Sequence, residues 1–119
     1  MIALGGAAGA LARYQLAAMI QARVPAGFPW GTFVVNVSGC LVMGIVMTLL
    51  TERFVAHPNW RFLVPIGFIG AYTTFSTFEL ETFRAMSDRA FLIGVANVLG
   101  SVLVGYAALW AGIFLARIR

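Results

Sequence analysis

Charge is what this sequence has least of. Charged residues make up 10% of its 119 positions, only four of them are acidic, and there is no lysine. A typical soluble domain carries about 25% charge. A soluble fold this small could not keep so much apolar surface from water. That excludes an independent soluble catalytic domain. Cysteine is nearly missing too. Cys40 stands alone, so no disulfide forms within the chain, and its apolar setting reads as that of a small buried hydrophobe. The one histidine, His57, sits in a His-Pro loop and reads as exposed. No His/Cys/carboxylate cluster, nucleophile–base pair or phosphate loop occurs, so the chain does not read as an enzyme.

What is present is apolar and aromatic. The chain is 61% hydrophobic, with 13 Gly, 10 Phe, 3 Trp and 3 Tyr, and its mean hydropathy is +0.93. Disordered chains are polar and poor in aromatics. The composition leaves an integral membrane protein, one domain over residues 1–119. The net charge is +4, but the eight arginines never cluster. A phosphate-tracking patch needs clustering, so no nucleic-acid partner is expected. The N-terminus does not read as a signal peptide: it lacks a basic start, and Arg13 interrupts the apolar stretch.

A helical span needs ~20 apolar residues to cross ~30 Å of hydrocarbon. Four segments qualify: about 2–20, which contains Arg13, 32–51, 62–78 with an extension to 83, and 91–116. The connections Gln21–Gly31, Glu52–Arg61 and Arg84–Ala90 are short, which makes neighbouring helices antiparallel. Gly5/Gly9 in the first span, and Ala96/Gly100 and Ser101/Gly105 in the fourth, are small-residue pairs that read as helix-packing sites.

Arginines in short loops set orientation. Arg53, Arg61, Arg117 and Arg119 fall on one side, four in all, against three on the other, Arg23, Arg84 and Arg89. Four against three hardly selects an orientation. Two copies inserted in opposite directions could pair about a twofold axis in the membrane plane, an inverted repeat built from two chains. A fixed orientation set by Arg53 and Arg61 is the other reading, and the count leaves both open.

Polar groups inside lipid mostly face protein or a water-filled path. Thr32, Asn36, Gly39 and Cys40 share one face of the second span. The Asn36 amide offers two N–H donors without charge, so it could coordinate an anion without trapping it; an interhelical hydrogen bond is the alternative. The third span runs Gly67-Phe68-Ile69-Gly70-Ala71-Tyr72-Thr73-Thr74-Phe75-Ser76-Thr77-Phe78, a poor helix interior. A break over Gly70–Thr77 would free carbonyls for a cation and hydroxyls for an aqueous track; an intact helix with back-bonded hydroxyls is equally open. Phe75 and Phe78 share a face if the helix persists, and a ring's positive edge can attract an anion, although ordinary packing is the commoner use of such residues. Glu81 could extend that face. Asn97 and Ser101 form a second polar stripe in the fourth span, and Arg13 either snorkels to an interface or concentrates anions at a pore mouth.

Three blocks carry a resemblance: Gly5-Gly6-x-x-Gly9-Ala10-x-x-Arg13-Tyr14, then Gly31-Thr32-x-x-Val35-Asn36-x-x-Gly39, then Gly67-Phe68-x-Gly70-x-x-Thr73-Thr74-Phe75-Ser76-Thr77-Phe78-x-x-Glu81. In this order they resemble the Fluc fluoride channel family, also called CrcB, over nearly the whole chain. The resemblance implies an all-α membrane protein of four transmembrane helices with the third broken. It also implies an antiparallel, dual-topology homodimer in a bacterial plasma membrane, with two fluoride pores and a structural sodium ion at its centre. Phe75 and Phe78 would be the pore phenylalanines and Asn36 the pore asparagine. Backbone carbonyls of Gly70 and Thr73 would hold the sodium. Ser76, Thr77, Glu81 and Thr32 would belong to the polar track, and Arg13 to the vestibule. Asn97 and Ser101 match by location only. A passive pore would then suffice to relieve fluoride toxicity. Small multidrug exporters resemble the chain in architecture alone. They need an embedded acid in the first span, where this chain has Arg13. A non-transporting membrane assembly subunit would explain the packing glycines but not the hydroxyl- and Phe-rich third span.

Overall fold

The computed structural model describes residues 1–118. Within them the chain is helical and no strand forms. Helix α1 runs Ile2–Gln21. Helix α2, Trp30–Thr48, continues into a π-helical turn, Leu49–Arg53. Helix α3, Pro58–Arg61, runs on without interruption through a π-helical stretch, Phe62–Ile69, into α4, Gly70–Tyr72. Helix α5, Phe75–Ser87, and α6, Phe91–Ile118, complete the chain.

Two helices are long and apolar enough to cross a membrane, Trp30–Arg53 and Phe91–Ile118, with mean hydropathies of 2.2 and 2.0. Only 22% and 11% of their apolar windows are buried, so they are not the core helices of a soluble fold. The 28 residues of α6 span about 42 Å at 1.5 Å per residue, more than the hydrocarbon thickness. Leu99, Val102, Leu103, Trp110, Phe114 and Leu115 on α6 are exposed, while the buried apolar core is Val35, Ile69, Phe78 and Ala116. Apolar surface faces outward, as lipid requires and water forbids. Helix α1 has the expected length but is less apolar, because Arg13, Tyr14 and Gln15 occupy its middle.

The packing is backbone against backbone. Helix α1 lies on the π-helical stretch and α4, and α2 lies on α6. A Cβ on Gly5 would strike the Leu63 carbonyl, and one on Gly9 the Phe68 carbonyl. Gly44 and Gly112 make the same contact between α2 and α6, against the carbonyls of Leu109 and Leu41. The Gly5/Gly9 expectation is met. The expected role of Gly100 is not: a Cβ there would meet only Phe33 Cε2 at 3.7 Å, and the close approach on α6 belongs to Gly112.

The third hydrophobic segment departs most from its expected form. It begins at Pro58, inside what reads from sequence as a loop. Pro65 lies within it. Proline lacks an N–H and clashes with the carbonyl four residues back in an α-helix; the wider i→i+5 winding accommodates it. The interruption is shorter than the expected Gly70–Thr77. Only Thr73 (ψ 156°) and Thr74 (φ −147°, ψ 119°) are extended, and Phe75–Thr77 already form the first turn of α5.

Candidate functional site

The site is built around those two extended residues. The last helical bond before them runs from Thr73 N–H to the Ile69 carbonyl, 3.0 Å. The next would join Thr74 N–H to the Gly70 carbonyl. Instead Thr74 N–H donates to Asn36 Oδ1 at 2.8 Å, and Asn36 Nδ2 donates back to the Thr74 carbonyl at 3.0 Å. The amide of one side chain thus pairs with one residue's backbone, as two strands would. Thr74 Oγ1 accepts from Thr77 N–H at 3.4 Å, capping α5, and donates to Thr77 Oγ1 at 3.1 Å. Every polar group of Thr74, which is buried, therefore has a partner. Buried backbone groups without partners are costly, and Asn36 removes that cost here.

Helix α2 is shaped to receive the break. One turn after Asn36, Gly39 lies against Thr73 Cγ2 and Tyr72; a Cβ at 39 would occupy the space that the threonine methyl fills. Ser38 Oγ and Tyr72 Oη lie 2.8 Å apart, and Tyr72 stacks on Phe68 with ring centroids at 5.9 Å. The break is held on both flanks by side chains of one helix.

Two grooves meet at Thr74. The first, about 330 Å³, is lined by Asn36, Gly39, Cys40, Thr73, Phe75, Phe78 and Ser101 among others. The rings of Phe75 and Phe78 sit at its edge, centroids 5.8 Å apart and tilted by 46°. Phe78 is buried, while Phe75 is 75% exposed in the single chain. The second groove, about 370 Å³, is lined by Arg13, Tyr14, Gln21, Thr32, Thr77 and Glu81 among others. Thr32 Oγ1 donates to Glu81 Oε1 at 2.9 Å, and the other oxygen, Oε2, is buried without a partner among the described residues. Gln21 closes one end, accepting from Gly31 N–H at 3.1 Å and donating to the Phe28 carbonyl at 3.3 Å.

The expected site residues thus divide. Asn36, Thr73, Phe75, Phe78 and Ser101 come together in the first groove, and Arg13, Thr32, Thr77 and Glu81 in the second. Ser76 and Gly70 are exposed and line neither groove. Asn97 is buried outside both: its Nδ2 donates to Thr82 Oγ1 at 3.0 Å and its Oδ1 accepts from Ser101 at 3.3 Å, so the fourth-span stripe ties α6 to α5. Asn36, read from sequence as an anion donor or an interhelical bond, makes the interhelical bond in a bidentate form; its second N–H has no acceptor among the described residues. Sequence reasoning missed Thr74 as the centre of the site. A threonine immediately before a helical run is an N-cap signal that could have marked it. Thr82, which joins Asn97 to the Phe78 carbonyl at 2.9 Å, gave no such signal.

Among the described residues no group of His, Cys, Asp or Glu could hold a metal ion through side chains. Backbone oxygen is a different donor set. The break leaves the Gly70 carbonyl without the N–H that would have continued the helix, and it stands at a helix C-terminus, where the macrodipole is negative. Such an oxygen suits a small hard cation.

The profile described as "CrcB-like protein, Camphor Resistance (CrcB)" matches residues 1–113. A protein of Solibacter usitatus named "Fluoride-specific ion channel FluC" is 60% identical over 117 residues, covering 98% of this chain and 96% of its own. Proteins of the same name from Acidobacterium capsulatum and Geobacter metallireducens are each 47% identical. Those matches cover 93% and 98% of this chain, and 89% and 94% of the relatives. With the match running through both grooves and the break between them, the chain belongs to the CrcB family of membrane proteins.

Proposed function

We propose that this protein is a passive, fluoride-selective channel that lets fluoride leave a bacterial cell down its electrochemical gradient. The observation that carries the reading is the convergence around Thr73–Thr74 of the Phe75 and Phe78 rings, the remaining Asn36 N–H and the Thr77 hydroxyl. Fluoride is small and tightly hydrated, so a path for it must replace water with donors. Amide, hydroxyl and aromatic ring edge are such donors, and none carries a charge that would trap the ion. Arg13 in the second groove raises the local anion concentration. Fluoride enters cells as neutral HF and is trapped as the anion. An inside-negative potential then drives it out with about 2.3 kcal/mol per charge per 100 mV.

The working form in this reading is two copies in opposite orientations, spanning the plasma membrane with four segments each. Gly70, Phe75 and Ser76 are exposed beside the break. Irregular backbone and hydroxyls at membrane depth need protein cover, which a second copy supplies. A sodium ion held by the Gly70 and Thr73 carbonyls of both copies would supply positive charge where helix ends converge, fixing the break.

The test uses liposomes holding only this protein, loaded with potassium fluoride and placed in fluoride-free medium. Efflux stalls without a potassium ionophore and runs quickly with one, because a channel moves net charge. Chloride stays inside under both conditions. Efflux indifferent to the ionophore but following an imposed proton gradient overturns the reading in favour of exchange.

A further inference from the structure

We infer that Asn36 is a positioning residue for the cation site: by pairing with the Thr74 backbone it withholds the Thr74 N–H from the Gly70 carbonyl and keeps that carbonyl free to ligate. This deepens the channel reading and rests on its cation. The geometry carries it. After Thr73 N–H bonds Ile69, the next donor in helical order is Thr74 N–H, and its natural acceptor is Gly70. Asn36 Oδ1 takes that donor at 2.8 Å, and Nδ2 fixes the same residue's carbonyl at 3.0 Å. Without the amide, Thr74 N–H would be buried and unsatisfied, and extending α4 by one residue would be the nearest way to satisfy it. That extension consumes the Gly70 oxygen. Gly39 supports the same geometry by admitting Thr73, but contributes no polar group. Asn36 therefore serves two ions: one N–H remains for the first groove, while the other donor and the oxygen shape the cation site.

The test compares Asn36→Ala with Asn36→Asp in detergent-purified protein. Thermal unfolding is followed as sodium replaces N-methylglucamine at constant ionic strength. Wild type is stabilised as sodium saturates its site. In Asn36→Ala the half-saturating sodium concentration rises by about tenfold or more, the effect of one diverted hydrogen bond. Asn36→Asp keeps an oxygen for Thr74 N–H but sets its second oxygen against the Thr74 carbonyl in place of Nδ2, so its half-saturating concentration rises by less than that of Asn36→Ala. Its fluoride flux is nonetheless lost, because the fixed charge repels the anion. A role in the anion path alone would leave sodium half-saturation unchanged in both variants, and that result overturns the inference. So does an aspartate variant shifted as far as Asn36→Ala; where Asn36→Ala does not fold, Asn36→Leu, which keeps the volume without the polar groups, takes its place. A wild type with no sodium response overturns the cation reading itself, and this inference falls with it, whatever the flux.

Discussion

Helix α6 and the segment Pro58–Ser87 have nearly the same length and answer opposite demands. Helix α6 runs 28 residues unbroken, polar inside only at Asn97 and Ser101. Pro58–Ser87 winds from α to π, returns to α, opens for two residues and resumes. In α6 every interior backbone group is satisfied by its own helix, so side chains are free to face lipid and the glycines to meet α2. In the broken segment the helix no longer satisfies its own backbone, and groups on another element must. Asn36 and Thr77 satisfy Thr74, so the site exists because α2 and the first turn of α5 replace what the helix lost. Continuous helix builds the wall, and interrupted helix exposes chemistry.

The most severe way to break this comparison is to remove the chemistry and keep the wall. Phe75→Ile and Phe78→Ile retain most of the side-chain volume and lose the polarised ring edge. At about 0.5–1.5 kcal/mol per ring interaction, each slows fluoride flux by about 2- to 13-fold, and the double variant by more than either alone. Flux through reconstituted protein is the measurement, with thermal unfolding alongside to show the fold intact. Wild-type conduction by the double variant would reduce both rings to packing.

The converse change attacks the wall. Gly112→Val places side-chain atoms into the Leu41 carbonyl of α2, which is backbone and has no rotamer by which to yield. A cost of about 2–4 kcal/mol follows from overpacking, read as a lowered melting temperature in detergent. Gly100→Val is the control on the same helix. A Cβ there meets only the edge of Phe33 at 3.7 Å, so the variant melts near wild type. Equal loss from both would mean that α6 tolerates no added bulk anywhere, and that close approach to α2 is not what fixes it.

The wall was far more legible in the sequence than the site. Long apolar runs report α2 and α6 directly, since lipid demands little beyond length and hydropathy, and the observed ends, Trp30 and Ile118, lie within two residues of the expected ones. The Gly5/Gly9 spacing also predicted its own contact. At the break, composition announced trouble over Gly70–Thr77 without locating it, because hydroxyl-bearing residues are compatible with several backbone states. Its narrowing to two residues depends on Asn36, 38 positions away, and no local rule contains that partner. The π winding was hidden for a related reason. Pro65 signals a kink or an end by local rules, and the contact of its segment with the α1 glycines, backbone to backbone, lies outside them. Asn97 shows the converse case: its spacing to Ser101 was visible, but Thr82, the residue it bonds on α5, was not.

The smallest effect is expected where α2 and α6 are tied by charge. Beyond Thr48 the chain turns through Leu49–Arg53, and Arg117 near the end of α6 forms a bidentate pair with Glu52, 2.6 and 3.1 Å. Arg53 adds a bond to the Arg117 carbonyl at 3.0 Å. The arrangement resembles a clasp, but both side chains of the pair are about half exposed, 56% and 44%. In high dielectric the attraction is weak, water competes for each donor, and ordering two long side chains costs entropy. Glu52→Gln keeps the volume and removes the charge. Its melting temperature should match wild type at about 0.15 M salt, where the Debye length is about 8 Å, and its fluoride flux should be unchanged. The comparison sharpens at low salt, where less screening allows a small loss of stability to emerge. A large loss at every salt concentration would mean that the two helices are held by the charged clasp at their ends, and not by the backbone contacts at Gly44 and Gly112 between them.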